Sequence, residues 1–322
     1  MRAFSSSRVE EQPNAQAAGP RARHAHANPG VRRARESLIR YSLGACAALS
    51  ILTSLGILFV LLKESLPFFG EVSAIEFLTG HTWAPLMKPR EFGVLPLVAG
   101  TLLVTLVAGL LVIPTGSLAG AYLSEYANAR ARKFLKPVLE ILAGIPTVVY
   151  GYFAVVVVTP ALREVLPGAG VFNALSAGIV VAIMILPTVV SLSDDAMRSV
   201  PGALREAAHG LGATQREVTT GVVFPAALSG ILSAYVLALG RAVGETMIVT
   251  MAAGATPRLS LNPLDSVQTM TGYIVQVSLG DTPAGTPEYR SIFAVGLVLF
   301  VMTLGMNLVS FWIKGRYHQS YS

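Results

Sequence analysis

The stretch DDAMRSVPGALREAAHGLGATQREVTTGVVFP, Asp194 to Pro225, interrupts an otherwise apolar half of the chain, and its reading sets how the flanking segments are joined. Pro201 suits the first turn of a helix, where its missing N–H has no helical partner to lose. Leu204, Ala207, Ala208 and Leu211 recur at i, i+3, i+4 and i+7, the spacing of one helical face. Gly212 suits a left-handed stop, and Thr214 with Glu217 has the spacing of a capping box that starts a second helix. Two short helices with a sharp bend at Gly212 and Ala213 are expected. The small residues at the bend let another surface come close, and Glu206 sets a charge beside it.

On either side of this segment the chain is apolar over lengths that match a bilayer. Hydrophobic residues are 53% and charged residues only 13%, where a soluble chain carries roughly 25% charge. Six runs approach the ~20 residues that cross a hydrocarbon core as a helix: about 41–62, 94–118, 137–159, 170–192, 226–254 and 292–313. In lipid a spanning segment must satisfy its own backbone hydrogen bonds, and runs this long do so as helices. The expected fold is an all-α integral membrane protein, a six-helix bundle over residues 41–322 preceded by a basic tail over 1–40. The tail is rich in Ala, Arg, His and Pro, lacks the apolar side chains to form a core and is expected to be disordered.

Orientation follows from basic residues, which are retained on the cytoplasmic side of a span. Arg21, Arg23, Arg32, Arg33, Arg35 and Arg40 precede the first run, Arg130, Arg132, Lys133 and Lys136 follow the second, and Arg198, Arg205 and Arg216 follow the fourth. These are alternate loops. Both termini and the segment 194–225 are therefore expected in the cytoplasm, with loops of about 63–93 and 255–291 outside. The net charge of +6 is accounted for by the tail and these loops, and calls for no nucleic acid. Cys46 stands alone inside the first run, which excludes an intrachain disulfide.

Glu206-Ala207-Ala208, three residues, Gly212, nine residues and Val222-Val223-Phe224-Pro225 together resemble the EAA loop of importer-type ABC transporter permeases, with Phe224 in place of the usual leucine. LAGIPTVVYGYFA (Leu142 to Ala154), EFGVLPLVAGTLLVT (Glu91 to Thr105) and ALGRAVGETMIVTM (Ala238 to Met251) are similar to the phosphate-specific permeases of the PstC type. The resemblance implies a type I importer permease in a bacterial inner membrane, forming half of a phosphate pathway. It implies a PstA-like permease partner, a PstB-like ATPase dimer and a PstS-like phosphate-binding protein. It places Glu206, Ala207, Ala208, Gly212 and Ala213 at the ATPase. No G-x-x-x-x-G-K-[ST] occurs, so the chain is expected to bind no cofactor and to leave ATP and Mg to the ATPase subunit. Readings beside this one are a permease for sulfate or molybdate, the PstA-like partner itself, an ATP-independent channel or ion-coupled transporter, and a phosphate-signalling scaffold.

Arg241 and Glu245 lie four residues apart in the fifth run. A charge at the centre of a lipid-facing helix costs ~2.5 to 3.5 kcal/mol, so intramembrane charges face a bundle interior or a water-filled cavity. One reading makes the two a neutralising pair that locks helices together. The other sets Arg241 and Glu245 in the substrate pathway, where a guanidinium matches a tetrahedral oxyanion with two parallel hydrogen bonds and Thr246 adds a hydroxyl. Thr147 and Tyr150 are further candidates to line the pathway, with interface packing as the alternative. Gly240 and Gly244 form a G-x-x-x-G that would admit a neighbouring helix, and Gly116 and Gly120 form another. Pro146 and Pro187 are expected to bend spans three and four.

Overall fold

The computed structural model describes residues 29–317. In chain order the elements are α1 (Pro29–Glu71), α2 (Ala74–Thr79), a minimal antiparallel hairpin of β1 (Trp83–Ala84) and β2 (Glu91–Phe92), and α3 (Leu95–Ala121). There follow α4 (Ala129–Gly144), α5 (Thr147–Phe153), α6 (Thr159–Val165), α7 (Ala174–Arg198), α8 (Gly202–Gly210) and α9 (Gln215–Val218). The last are α10 (Phe224–Val243), α11 (Met247–Ala252), α12 (Met270–Leu279) and α13 (Pro287–Tyr317). Single π-helical turns continue α3, join α5 to α6 and join α9 to α10.

Among the described residues six segments are long and apolar enough to cross a membrane: Arg35–Glu71, Leu95–Tyr126, Thr147–Val165, Ala174–Arg198, Gln215–Val243 and Pro287–Ile313. All six overlap the expected runs, and the third and fifth are displaced along the chain. The run 137–159 is broken at Ile145 and Pro146, both extended, because the residue before a proline is driven out of the α region. Residues before the break form the separate helix α4, and those after it form the span. Pro187, by contrast, lies within an unbroken α7.

The N-terminal boundary also shifts. Helix α1 begins at Pro29, so residues 29–40 of the expected disordered tail are helical, a result in keeping with the strong helix formers Arg, Glu and Leu and with proline at a first turn. The rest of the expected tail, with His24 and His26, lies outside the described residues. Two compact units divide the chain, the first ending at Ile57 and the second beginning at Leu58. In the first, the described side chains from Arg35 on are exposed.

In the second unit α7 is the hub, packed against α3 and α10, which also touch each other, and α13 packs on α10. The α3–α7 approach depends on small residues. A Cβ at Gly116 would come within 2.6 Å of Val189 and one at Gly120 within 2.9 Å of Ser193, so this G-x-x-x-G is a packing seam. Val104, Ala108 and Val112 meet Val181, Ile185 and Ala238 in the main core.

Candidate functional site

The bend deduced from Asp194–Pro225 is present. Helix α8 ends at Gly210, Gly212 adopts φ +88°, and the Ala213 N–H returns to the Ala208 carbonyl. Thr214 and Glu217 form a reciprocal capping box at the start of α9, an arrangement worth about 1 kcal/mol. Leu204 and Ala208 pack beneath the bend, but Leu211 at its tip is 90% exposed. Glu206, Ala207 and Gly212 are exposed beside it and Ala213 is half-buried. Glu206, Ala207 and Gly212 thus share one exposed surface with Leu211, while Ala208 and Ala213, both half-buried, lie beneath it.

Two carboxylates to which the sequence alone assigns no role fasten short helices to the spans, Glu125 holding α8 and α9 and Asp194 holding α4. Glu125, in the π turn ending α3, receives Nε and Nη2 of Arg205 at 3.2 and 3.0 Å, and its carbonyl accepts from Gln215 Nε2. Arg205 also donates to the carbonyls of Met197 and Val200, at and just beyond the end of α7. Asp194 is fully buried in the last turns of α7, where Arg132 (2.6 Å), Lys136 (3.2 Å) and Arg198 (3.1 Å) converge on it. Sequence position marks these arginines and lysines only as loop cations. The signal available is an aspartate closing an apolar run with three basic residues within reach in its own and neighbouring segments.

The second part of the site is a helix break. The fifth run does not continue through 226–254: α10 stops at Val243, Gly244 to Thr246 are non-helical, and α11 restarts at Met247. Arg241 and Glu245 therefore do not face each other as a pair one turn apart on a single helix, and among the described residues they form no ion pair. Glu245 is buried and turned forward, its Oε1 accepting from the N–H groups of Met247 and Ile248 at 3.1 and 3.3 Å. The carboxylate caps α11, where unsatisfied donors and the positive end of the helix dipole attract an anion. The Glu245 carbonyl accepts from Thr271 Oγ1 at 2.7 Å, which ties the break to the start of α12.

Among the described residues Arg241 meets no carboxylate. It is exposed in the last turn of α10, with a long hydrogen bond of 3.5 Å from Nη1 to Thr188 Oγ1 of α7. Thr246 is half-buried and donates to the Gly244 carbonyl. A Cβ at Gly240 would meet nothing within 4 Å, and at Gly244 only carbonyls of its own turn, so the helix approach expected at this G-x-x-x-G is not made among the described residues. Leu237, Arg241 and Gly244 form an open face. An apolar groove of about 750 Å³ runs along α3, lined by Leu102, Leu106, Leu110 and, from α10, Leu239. Tyr150, a second pathway candidate, is buried in the core and donates to the Leu142 carbonyl.

The two expected outer loops form one platform. Trp83 and Phe92 of the hairpin pack against Phe68, Phe77 and Tyr273, with Trp83 and Tyr273 perpendicular at 4.8 Å. Burial pushes the Tyr273 phenol up to about 12; it stays protonated and donates to Ser291, whose hydroxyl is given to the Glu288 carbonyl. Arg90 pairs with Glu288 at the mouth of a 490 Å³ surface pocket that also includes Gln276 and Asp281.

Residues 112–322 match the family described as binding-protein-dependent transport system inner membrane component. The chain is 37% identical to the probable ABC transporter permease protein YqgH of Bacillus subtilis, covering 86% of this chain and 90% of that protein. It is 32% identical to the phosphate transport system permease protein PstC of Mesorhizobium japonicum, covering 85% and 91%. Among solved structures it shares its fold with a bacterial alginate ABC transporter, at 16% identity and TM-score 0.59 over 86% of this chain and 94% of that one. A methionine ABC transporter, MetNI, aligns at 17% identity and TM-score 0.53 over 70% and 94%.

Proposed function

Because the chain belongs to the family of binding-protein-dependent transport system inner membrane components, we propose that it is the permease subunit of an ATP-driven importer for inorganic phosphate. The observation that carries the substrate is Arg241: a guanidinium that meets no carboxylate among the described residues, on an open face, beside a break in a spanning helix. Non-helical backbone at membrane depth is tolerated where it is buried in protein or lines a water-filled cavity, and here Gly244 is exposed while Glu245 is satisfied locally. A fixed cation at such a point offsets the desolvation of an anion. The relatives named for phosphate transport support the choice of anion.

In this reading the open face of α10 meets a PstA-like permease across the pathway, and Arg241 with Thr246 approaches the anion there. Glu245 serves as the cap that holds the break open and not as a ligand. The surface of Glu206, Ala207, Ala208, Gly212 and Ala213, crowned by Leu211, docks on a PstB-like ATPase dimer, which binds ATP and Mg. The platform of Trp83, Arg90 and Glu288 faces a PstS-like binding protein. Both termini and α8–α9 lie in the cytoplasm, and the chain hydrolyses nothing itself.

Radiolabelled phosphate uptake into vesicles carrying the full complex tests the substrate. A hundredfold excess of unlabelled phosphate should abolish the signal, and the same excess of sulfate or molybdate should leave most of it. Equal competition by sulfate would make the protein a permease for a different oxyanion.

Coupling is tested at the bend. Proline cannot adopt φ +88°, so Gly212→Pro should distort the bend, and Glu206→Lys reverses the charge on the docking surface without touching the fold. Each variant is expected to insert normally and to lose at least about tenfold in phosphate-stimulated ATP hydrolysis, a loss of ~1.4 kcal/mol in coupling. Parental hydrolysis and uptake in Glu206→Lys at normal abundance would remove this surface from the ATPase contact.

A further inference from the structure

Helix α4 contains no buried residue, yet it is fastened at both ends to membrane-spanning helices. At its N-terminal half Arg132 and Lys136 hold Asp194, one turn from the end of the span Ala174–Arg198. At its C-terminus only Ile145 and Pro146 separate it from the span Thr147–Val165, and Tyr150 of that span donates across the joint to the Leu142 carbonyl at 2.8 Å. It is thereby held along the level at which two spans meet the headgroup layer.

The residues divide by face accordingly. Arg132, Leu135, Lys136, Leu139 and Leu142 are half-buried toward the bundle. Phe134, Val138 and Ile141, at i, i+4 and i+7, turn outward, and Phe134 is 71% exposed. Arg130 and Lys133 are exposed at the edge of this apolar stripe, and among the described residues neither meets a carboxylate. An amphipathic helix of this kind lowers its apolar face to the acyl boundary and keeps its cations among the headgroups.

We propose that α4 is an interfacial helix whose outward face binds the anionic phospholipid headgroups of the membrane, through Arg130 and Lys133, with Phe134, Val138 and Ile141 in the acyl layer. A protein partner covering the stripe would have to supply carboxylates to both cations. The membrane in which the adjoining spans lie supplies negative charge at that depth without one. Arg132 and Lys136 take no part, since Asp194 already neutralises part of their charge and turns them inward.

The full-length chain with Cys46→Ala carries one thiol, introduced as Phe134→Cys and labelled with bimane, in phosphatidylcholine vesicles doped with nitroxide-acyl phosphatidylglycerol or nitroxide-acyl phosphatidylcholine. Both quenchers should reach the probe. Phosphatidylglycerol should do so at roughly five-fold lower mole fraction for each cation engaged, the factor that corresponds to about 1 kcal/mol per basic residue near a charged surface. Lys133→Gln should reduce that preference, and Arg130→Gln with Lys133→Gln should remove it while quenching by phosphatidylcholine persists. Equal quenching by the two lipids in the parental protein would overturn the headgroup site. Quenching by aqueous iodide and by neither lipid would place α4 against water or protein and overturn the interfacial helix altogether.

Discussion

Arg241→Gln is expected to accumulate in the membrane at the parental level and to lose about one to two orders of magnitude in phosphate uptake. The stability half of this expectation rests on what surrounds the guanidinium: an exposed face, one long contact with Thr188 and no carboxylate partner. Removing the charge leaves nothing buried and unpaired. It also removes a cation from the C-terminal turn of α10, where it interacts favourably with the helix dipole by about 0.3 to 1 kcal/mol, too little to affect insertion. The functional half rests on the anion. A charge-assisted hydrogen bond contributes roughly 1.5 to 3 kcal/mol, which is ten- to a hundredfold in a rate that depends on it. Arg241→Lys keeps the charge without the planar fork and should fall between the two. Glu245→Gln supplies the contrast: its amide oxygen can still accept from Met247 and Ile248, so abundance should stay near parental, where a pair with Arg241 would make it fall. Immunoblotting of membranes together with initial uptake rates separates these outcomes, and uptake per molecule unchanged in Arg241→Gln would withdraw the arginine from the pathway.

The largest effect on stability is expected at Asp194. Asp194→Asn replaces a fully buried carboxylate that three cations address by a neutral amide whose NH2 group faces them. Breaking a buried pair on one side costs roughly 3 to 5 kcal/mol. Arg198 and Lys136 keep contact with solvent, which lowers the expected cost to about 2 to 4 kcal/mol. Membrane abundance should drop several-fold, and the thermal aggregation midpoint of the purified protein should fall. Lys136→Gln removes only one of three cations, from a half-buried position that keeps contact with solvent, and should be nearly silent. An Asp194→Asn protein as heat-stable as the parent would mean that the cluster is a solvated surface feature and does not fasten α4 to α7.

Most of the bundle is readable from composition and run length alone, and so is the bend at Gly212, because both depend on interactions that are local along the chain. A run of apolar residues satisfies its own backbone in lipid, and the left-handed turn and the Thr214–Glu217 capping box involve residues at most a few positions apart. The third span departs from its expected bounds through an interaction that is just as local. Pro146 ends a helix that hydropathy carries through it, because hydropathy scores side chains and is blind to the conformational restriction on Ile145.

What the sequence determined by itself was therefore the class of fold, the number of spans and the two-helix bend with its spacing, all set by residues close enough in the chain to act on one another before any tertiary contact forms. Only the tertiary structure decided which charges were partners. Arg241 and Glu245, neighbours on a helical wheel, separate because the helix breaks and the carboxylate finds two unsatisfied N–H groups nearer than the guanidinium. Asp194 and Arg132, 62 residues apart, and Glu125 and Arg205, 80 apart, come together because packing of α7 on its neighbours buries a carboxylate that must then find a cation.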